Sequence, residues 1–200
     1  MHMGYIFLAF AALIEAGSAS ANTIAIPAAV VLMFAHGISI AMLFCLSDSI
    51  QKRTNTLELT ELGGLAKAAP KLAFLFGLAG MASIGLPGLA NFSGEVLVFL
   101  SGFESYKGGP LGCVQVATIL ALWGVVISAV YMLRAFRGTF QGPAVKNSTG
   151  VADLTFMEKM PAMILAAALL IVGLYPNSLL SLLEGCGYQV SSDATEQSDN

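Results

Sequence analysis

The sequence has few charged residues for its length. Only 10% of its 200 residues are Asp, Glu, Lys or Arg, whereas 56% are hydrophobic, and the mean hydropathy is +0.80. Soluble domains have about 25% charged residues, because their surfaces face water. This shortage excludes an ordinary soluble domain and indicates an all-α integral membrane protein.

The chain also lacks the residue clusters that mark several other classes of protein. Its net charge is −3 and it has no basic block, so nucleic acid is not an expected partner. Cys45, Cys113 and Cys186 are far apart and lack ligand spacing, so we expect packing residues and no metal or redox site. No phosphate-binding loop, nucleophile elbow or HExxH motif occurs. We therefore expect no catalytic and no cofactor-binding residue in this chain.

Five apolar stretches are long enough, or nearly so, for the ~20 residues that a spanning helix needs. They cover approximately residues 3–17, 24–46, 71–103, 113–135 and 161–180. Together they predict a membrane domain over residues 1–180. The remaining segment, 181–200, is polar and lacks apolar periodicity, so we expect a disordered tail.

The basic residues fall mainly in two of the connections between these stretches. Four lie in 47–71 and four in 134–159, whereas the other connections and the C-terminal tail together hold only Lys107. Lys and Arg concentrate in short cytoplasmic loops. The two basic connections share one side of the membrane only if the stretch 71–103 crosses once. We therefore predict a single crossing there and a periplasmic C-terminus.

The same stretch contains three residues that interrupt a helix. Gly85, Pro87 and Gly88 lie in the segment GLPGLAN, so a single crossing predicts one discontinuous helix, broken near 85–92. Unwound backbone at membrane depth persists only where it is buried in protein or lines a cavity. Broken helices of this kind recur at ion sites in transporters. A simple proline kink is the alternative interpretation.

Two ionisable residues fall at mid-depth in these stretches. Glu95 follows the predicted break, and His36 lies near the centre of 24–46. A charge at the bilayer centre costs roughly 2.5–3.5 kcal/mol and marks an ion pathway by default, and imidazole can relay protons near neutral pH. The alternatives are a structural acid and a histidine that only joins helices. No intramembrane Lys is available for Glu95, so we expect its partner outside this chain, and His2 is a weaker candidate.

Several segments resemble a known family in their order along the chain. They are MHMG, MFAHGIS, GGLAKAAPK, MASIGLPGLANFSGE and GLYPNSLL. From residue 2 to about residue 180 the chain is similar to the M-type antiporter-like subunits of bacterial NADH-quinone oxidoreductase (respiratory complex I), whose mitochondrial counterpart is NADH dehydrogenase subunit 4. The acid Glu95 favours this type, since related subunits typically have Lys near this position. The resemblance covers only the C-terminal part of such a subunit, so we expect further sequence upstream.

The resemblance implies an antiporter-like half-channel of about five transmembrane helices, one of them discontinuous at GLPG. In the family a central row of charged and histidine residues crosses the membrane domain. Glu95 would be the terminal acid of that row and exchange protons with the periplasm. His36 and His2 would match the histidines that lead to it.

The resemblance also implies a role within an enzyme complex. The chain would couple NADH:quinone electron transfer to proton pumping in the bacterial inner membrane, without a redox site of its own. NADH, flavin, iron–sulfur clusters and quinone are expected in partner subunits, and the other membrane subunits of complex I and lipid are the expected partners. The alternatives are a subunit of an Mrp-type cation/proton antiporter or membrane-bound hydrogenase, and a structural fragment that transports nothing.

Overall fold

The computed structural model describes residues 1–18, 21–144, 150–176, 179 and 181, and these residues form helices joined by turns. The seven helices found there are α1 (His2–Ala16), α2 (Ala25–Thr54), α3 (Leu65–Ala68), α4 (Pro70–Ile84), α5 (Ala90–Glu104), α6 (Cys113–Phe140) and α7 (Phe156–Leu174). Of the described helices, α2, α6 and α7 are long and apolar enough to cross a membrane. The predicted all-α class is confirmed. Apart from residue 181, the predicted tail 181–200 lies outside the described residues.

The central helix is α2, which contacts α1, α4, α5 and α7. Its 30 residues span about 45 Å at 1.5 Å per residue. It ends at Thr54, eight residues beyond the predicted boundary at 46. The polar extension is helical because Lys52 pairs with Asp48 one turn earlier, at 2.6 Å, and Asn55 ends the helix in a left-handed conformation.

The last two long helices also differ from the predicted boundaries. α6 extends to Phe140 rather than 135, because Phe140 is buried and packs its ring 5.2 Å from the ring of Phe76 in α4. α7 begins at Phe156 rather than 161, because Thr155 and Glu158 form a capping box. Pro161 therefore lies in the second turn of α7 instead of at its start.

Helices α4 and α5 follow one another along α2 in the opposite direction to it. Arg53, near the end of α2, and the first amides of α4 bind the same loop, 151–155. Asn91, in the first turn of α5, donates to Ser39 near the middle of α2. Glu104, at the end of α5, accepts bonds from the amides at the start of α2. The chain from α4 to α5 therefore progresses along α2 without folding back.

The start of α4 is capped by Asp153, from a loop 82 residues further along the chain. Its carboxylate accepts bonds from the amides of Lys71 and Leu72, at 3.1 and 3.2 Å, and from the amide of Leu154 at 2.8 Å. Burial opposes ionisation, but the three amides outweigh it and hold the pKa of Asp153 below its usual value. This cap joins the loop before α7 to α4.

The segment 85–89 interrupts the helical path between α4 and α5. Gly85 and Gly88 have φ angles of 79° and 92°, in the left-handed region that glycine adopts without steric cost. Pro87 lies between them and has no amide proton to donate. α7 packs against the end of this segment, because a Cβ on Gly173 would lie only 2.6 Å from Leu89 Cα.

Candidate functional site

Glu95 lies in the second turn of α5 and is buried, with 3% of its surface exposed. Its carboxylate packs against Gly85, where an added Cβ would collide with Glu95 Oε2. The preceding residue, Gly94, brings α5 close to α2, since a Cβ there would lie 2.9 Å from Leu32 Cα. Two glycines thus place the acid between the helix break and the central helix.

His2, in the first turn of α1, is the partner of Glu95. Its Nε2 lies 2.9 Å from Glu95 Oε1, and each side chain is only 4% exposed. The expectation of a partner outside this chain is therefore wrong. The counter-charge is an imidazole rather than a Lys, and no local pattern reveals a contact between residues 93 positions apart.

His36 extends the pair into a row of three residues. Its ring centroid lies 4.9 Å from that of His2, with the ring planes tilted by 40°. Within the described part of the chain, His36 Nδ1 is buried and has no hydrogen-bond partner. The structure therefore brings the three predicted pathway residues together, in the order Glu95, His2 and His36.

Tyr5 forms a wall of this site that the sequence analysis missed. It is 3% exposed, and its ring stands nearly perpendicular to that of His2, with the centroids 6.2 Å apart. Its hydroxyl donates to the carbonyl of Ala121 at 3.0 Å, which joins α1 to α6. The available signal was its spacing, since residues three apart on a helix share a face.

Asn91 was also missed, and it connects the break to the helix that bears His36. Its amide nitrogen donates to Ser39 Oγ at 3.1 Å and to the carbonyl of Ala82, in the last turn of α4, at 2.8 Å. Ser39 Oγ in turn donates to the carbonyl of His36 at 3.0 Å. Because Ala82 can only accept, the orientation of the Asn91 amide is fixed. Among the described residues, the buried Oδ1 of Asn91 has no partner.

The assembled site combines titratable and hydrogen-bonding groups. Its carboxylate and two imidazoles can bind and release protons, and a hydroxyl and an amide hydrogen-bond around them. No group of three or more His, Cys, Asp or Glu that could hold a metal occurs in the described ranges. Cys45 and Cys113 are free thiols, and Cys186 lies outside those ranges.

The family described as NADH:quinone oxidoreductase/Mrp antiporter, TM, matches residues 1–121, which include every site residue named above. The chain belongs to this family.

Two curated relatives of the NADH:quinone oxidoreductase/Mrp antiporter family show the extent of the likeness. NAD(P)H-quinone oxidoreductase chain 4 1 of Synechococcus sp. (strain JA-3-3Ab) is 35% identical over 179 residues, which are 88% of this chain and 32% of the relative. NADH-quinone oxidoreductase subunit M of Mycobacterium tuberculosis (strain CDC 1551 / Oshkosh) is 33% identical over 151 residues, which are 76% and 26% of the two chains. The chain spans about a third of the length of such relatives. The predicted resemblance to the M type is confirmed.

A solved structure shows the same fold. A chain of the respiratory complex I from Thermus thermophilus with bound NADH is 32% identical to this chain, with a TM-score of 0.74. The match covers 88% of this chain and 34% of the other. The protein is therefore a multi-pass membrane protein of the NADH:quinone oxidoreductase/Mrp antiporter family.

Proposed function

We propose that the chain is a proton-translocating, antiporter-like membrane subunit of an NADH-quinone oxidoreductase. The observation that carries this proposal is the buried His2–Glu95 pair, with its 2.9 Å contact beside the helix break. A carboxylate at membrane depth is retained where it serves an ion pathway. The names of the relatives from Synechococcus and Mycobacterium support the proposal that the chain belongs to this enzyme complex.

In this function the row of residues exchanges protons without redox chemistry of its own. Glu95 holds the proton nearest the break, and His2 is hydrogen-bonded directly to Glu95. His36 passes protons to His2 from the central helix. Movement at 85–89 alters the surroundings of Glu95, because the carboxylate packs on that backbone. NADH, flavin, iron–sulfur clusters and quinone belong to partner subunits.

We propose that α4 and α5 form one discontinuous crossing, so that the chain makes five crossings in an antiporter-like half-channel. Each of the two helices has only 15 residues, fewer than the ~20 needed to span a bilayer. The basic residues near the end of α2 and the starts of α4 and α7 support a cytoplasmic location for that end of the bundle. The opposite end, with Lys107, and the C-terminus then face the periplasm of a bacterial inner membrane.

The proposed partners are the other membrane subunits of complex I, including neighbouring antiporter-like subunits, and lipid. The outward face of α6 supports this, because its large apolar side chains are unburied. Trp123, Leu120 and Ile127 are 66%, 64% and 63% exposed.

The test is Glu95→Gln in the complex that contains this chain. The amide keeps the size of the side chain but cannot release a proton, so NADH-driven proton uptake by inverted membrane vesicles should fall. Assembly of the complex should be retained. Glu61→Gln, at an exposed loop position, is the matched control and should pump normally. Normal pumping by Glu95→Gln would refute the role of this acid.

A second candidate follows from the family description, which includes Mrp antiporters. The same residues would then exchange protons for another cation without electron transfer. Cation-dependent proton movement in vesicles that receive no NADH, lost in Glu95→Gln, would favour this function over the first.

A further inference from the structure

A groove lies between α4 and α7 at the basic end of the bundle, away from the site described above. Its volume is about 450 Å³. It is lined by Pro70, Lys71, Phe74, Leu75, Lys159 and Met163. We call it the α4–α7 groove.

Two lysines provide the charge of the α4–α7 groove. Lys71 lies in the first turn of α4 and Lys159 in the first turn of α7, where the helix macrodipoles add further positive potential. Among the described residues, neither ammonium group has a carboxylate within ion-pair distance. Of the neighbouring acids, Glu158 pairs with Arg53 at 2.7 Å, and Asp153 binds backbone amides while also attracting Lys71 electrostatically. The rim nevertheless keeps a net positive charge, because Lys71, Lys159 and Arg53 outnumber these two acids.

Its wall is apolar and open to the surroundings. Phe74 lies one turn after Lys71 and is 71% exposed, and Met163 lies one turn after Lys159 and is 49% exposed. On both helices the lysine thus lies nearer the start of the helix. In the orientation proposed above, the exposed apolar side chain lies one turn further toward the membrane interior. Positive charge at the interface above an apolar wall matches the two parts of a phospholipid.

We propose that the α4–α7 groove binds one anionic glycerophospholipid. Its phosphate lies between the ammonium groups of Lys71 and Lys159, and an acyl chain lies along Phe74 and Met163. Basic pockets between transmembrane helices on the cytoplasmic side bind anionic headgroups, each nearby Lys strengthening attraction about five-fold. A zwitterionic lipid fits less well, because its headgroup cation meets the same two positive charges.

The test places a fluorescent reporter in the groove of the full chain, reconstituted in bilayers. The sequence has one tryptophan, so Trp123→Phe with Phe74→Trp leaves a single indole on the groove wall. Its quenching by brominated phosphatidylglycerol is compared with quenching by brominated phosphatidylcholine. Two lysines acting together predict an apparent preference of about 30-fold for phosphatidylglycerol.

Charge variants in this background decide the outcome. Lys71→Gln with Lys159→Gln should remove the preference, whereas Lys52→Gln, which removes an equal charge from a lysine paired with Asp48, should retain it. No preference in the reporter chain, or a preference that survives the double variant, overturns the proposal. Circular dichroism checks that each variant is folded. If the double variant is not, the single variants decide, each with an expected loss of about five-fold.

A final experiment distinguishes binding of a lipid headgroup from binding of free phosphate. Inorganic phosphate is added to the bilayers at constant ionic strength while quenching by brominated phosphatidylglycerol is followed. An acyl chain on the groove wall predicts no displacement of the lipid. Displacement by inorganic phosphate would show a general phosphate site and overturn the commitment to lipid.

Discussion

Gly173 allows α7 to lie directly on the helix break, so Gly173→Ala should disturb both the fold and the site. The new Cβ would lie 2.6 Å from Leu89 Cα, whereas carbon atoms in contact are about 3.5–4.0 Å apart. The obstacle is backbone rather than a flexible side chain. α7 therefore has to move away from the segment 85–89 by about 1 Å.

The expected change in the free energy of unfolding of Gly173→Ala follows from two opposing effects. Overpacking of this kind costs about 1–3 kcal/mol, and a backbone obstacle favours the upper end of that range. Ala in a helix gains about 0.5–1 kcal/mol over Gly. The expected net loss is about 2 kcal/mol, which for a chain of this length lowers Tm by about 4–8 °C.

Thermal unfolding of the full chain in detergent, followed by circular dichroism, measures this loss. Gly37→Ala is the matched control, because a Cβ on this residue of α2 has no described neighbour within 4 Å. The control should show only the helical gain and raise Tm by about 1–4 °C. A Tm for Gly173→Ala at or above that of the wild type would refute the close packing of α7 on the break.

Three further predictions test other contacts. Asp153→Asn should lower Tm at neutral pH. The difference in Tm from the wild type should shrink as the pH falls below 3.8, the usual pKa of aspartate, because the capping carboxylate, whose pKa is lowered, becomes protonated in that range. Asn91→Ala should lower the free energy of unfolding by about 1–3 kcal/mol, since it removes two buried hydrogen bonds, to the Ala82 carbonyl and to Ser39 Oγ; an unchanged Tm would contradict this. With the other two cysteines replaced by serine, the exposed Cys113 should react in intact cells with a maleimide that crosses the outer membrane but not the inner one. Reaction only after lysis would contradict the proposed orientation.

Composition and spacing predicted those features that depend on the solvent and on local backbone chemistry. The apolar stretches predicted helices because lipid cannot satisfy polar side chains or free backbone groups. Gly85 and Gly88 marked the interruption, since a left-handed backbone conformation favours glycine. Glu95 and His36 were candidates for a physical reason as well, because ionisable groups at membrane depth are costly.

Contacts between distant parts of the chain were beyond such reasoning. His2 meets Glu95 only because α1 packs beside α5, and nothing local to either residue specifies that arrangement. Asp153 caps a helix that begins 82 residues earlier, so no capping pattern in the sequence precedes α4. Asn91 resembles an ordinary first-turn residue until Ala82 and Ser39 are seen to accept its hydrogen bonds.

The position of Gly173 near the end of α7 has a consequence for biogenesis. The segment 85–89 is made early, but the helix that covers it, Phe156–Leu174, is synthesised some 70 residues later. In the proposed five-crossing arrangement, α4 and α5 therefore enter the bilayer before the helix that packs on the backbone of Gly88 and Leu89. A nascent chain halted before α7 leaves this part of the break open to lipid, which gives membrane quality-control proteases a physical mark of an unfinished protein.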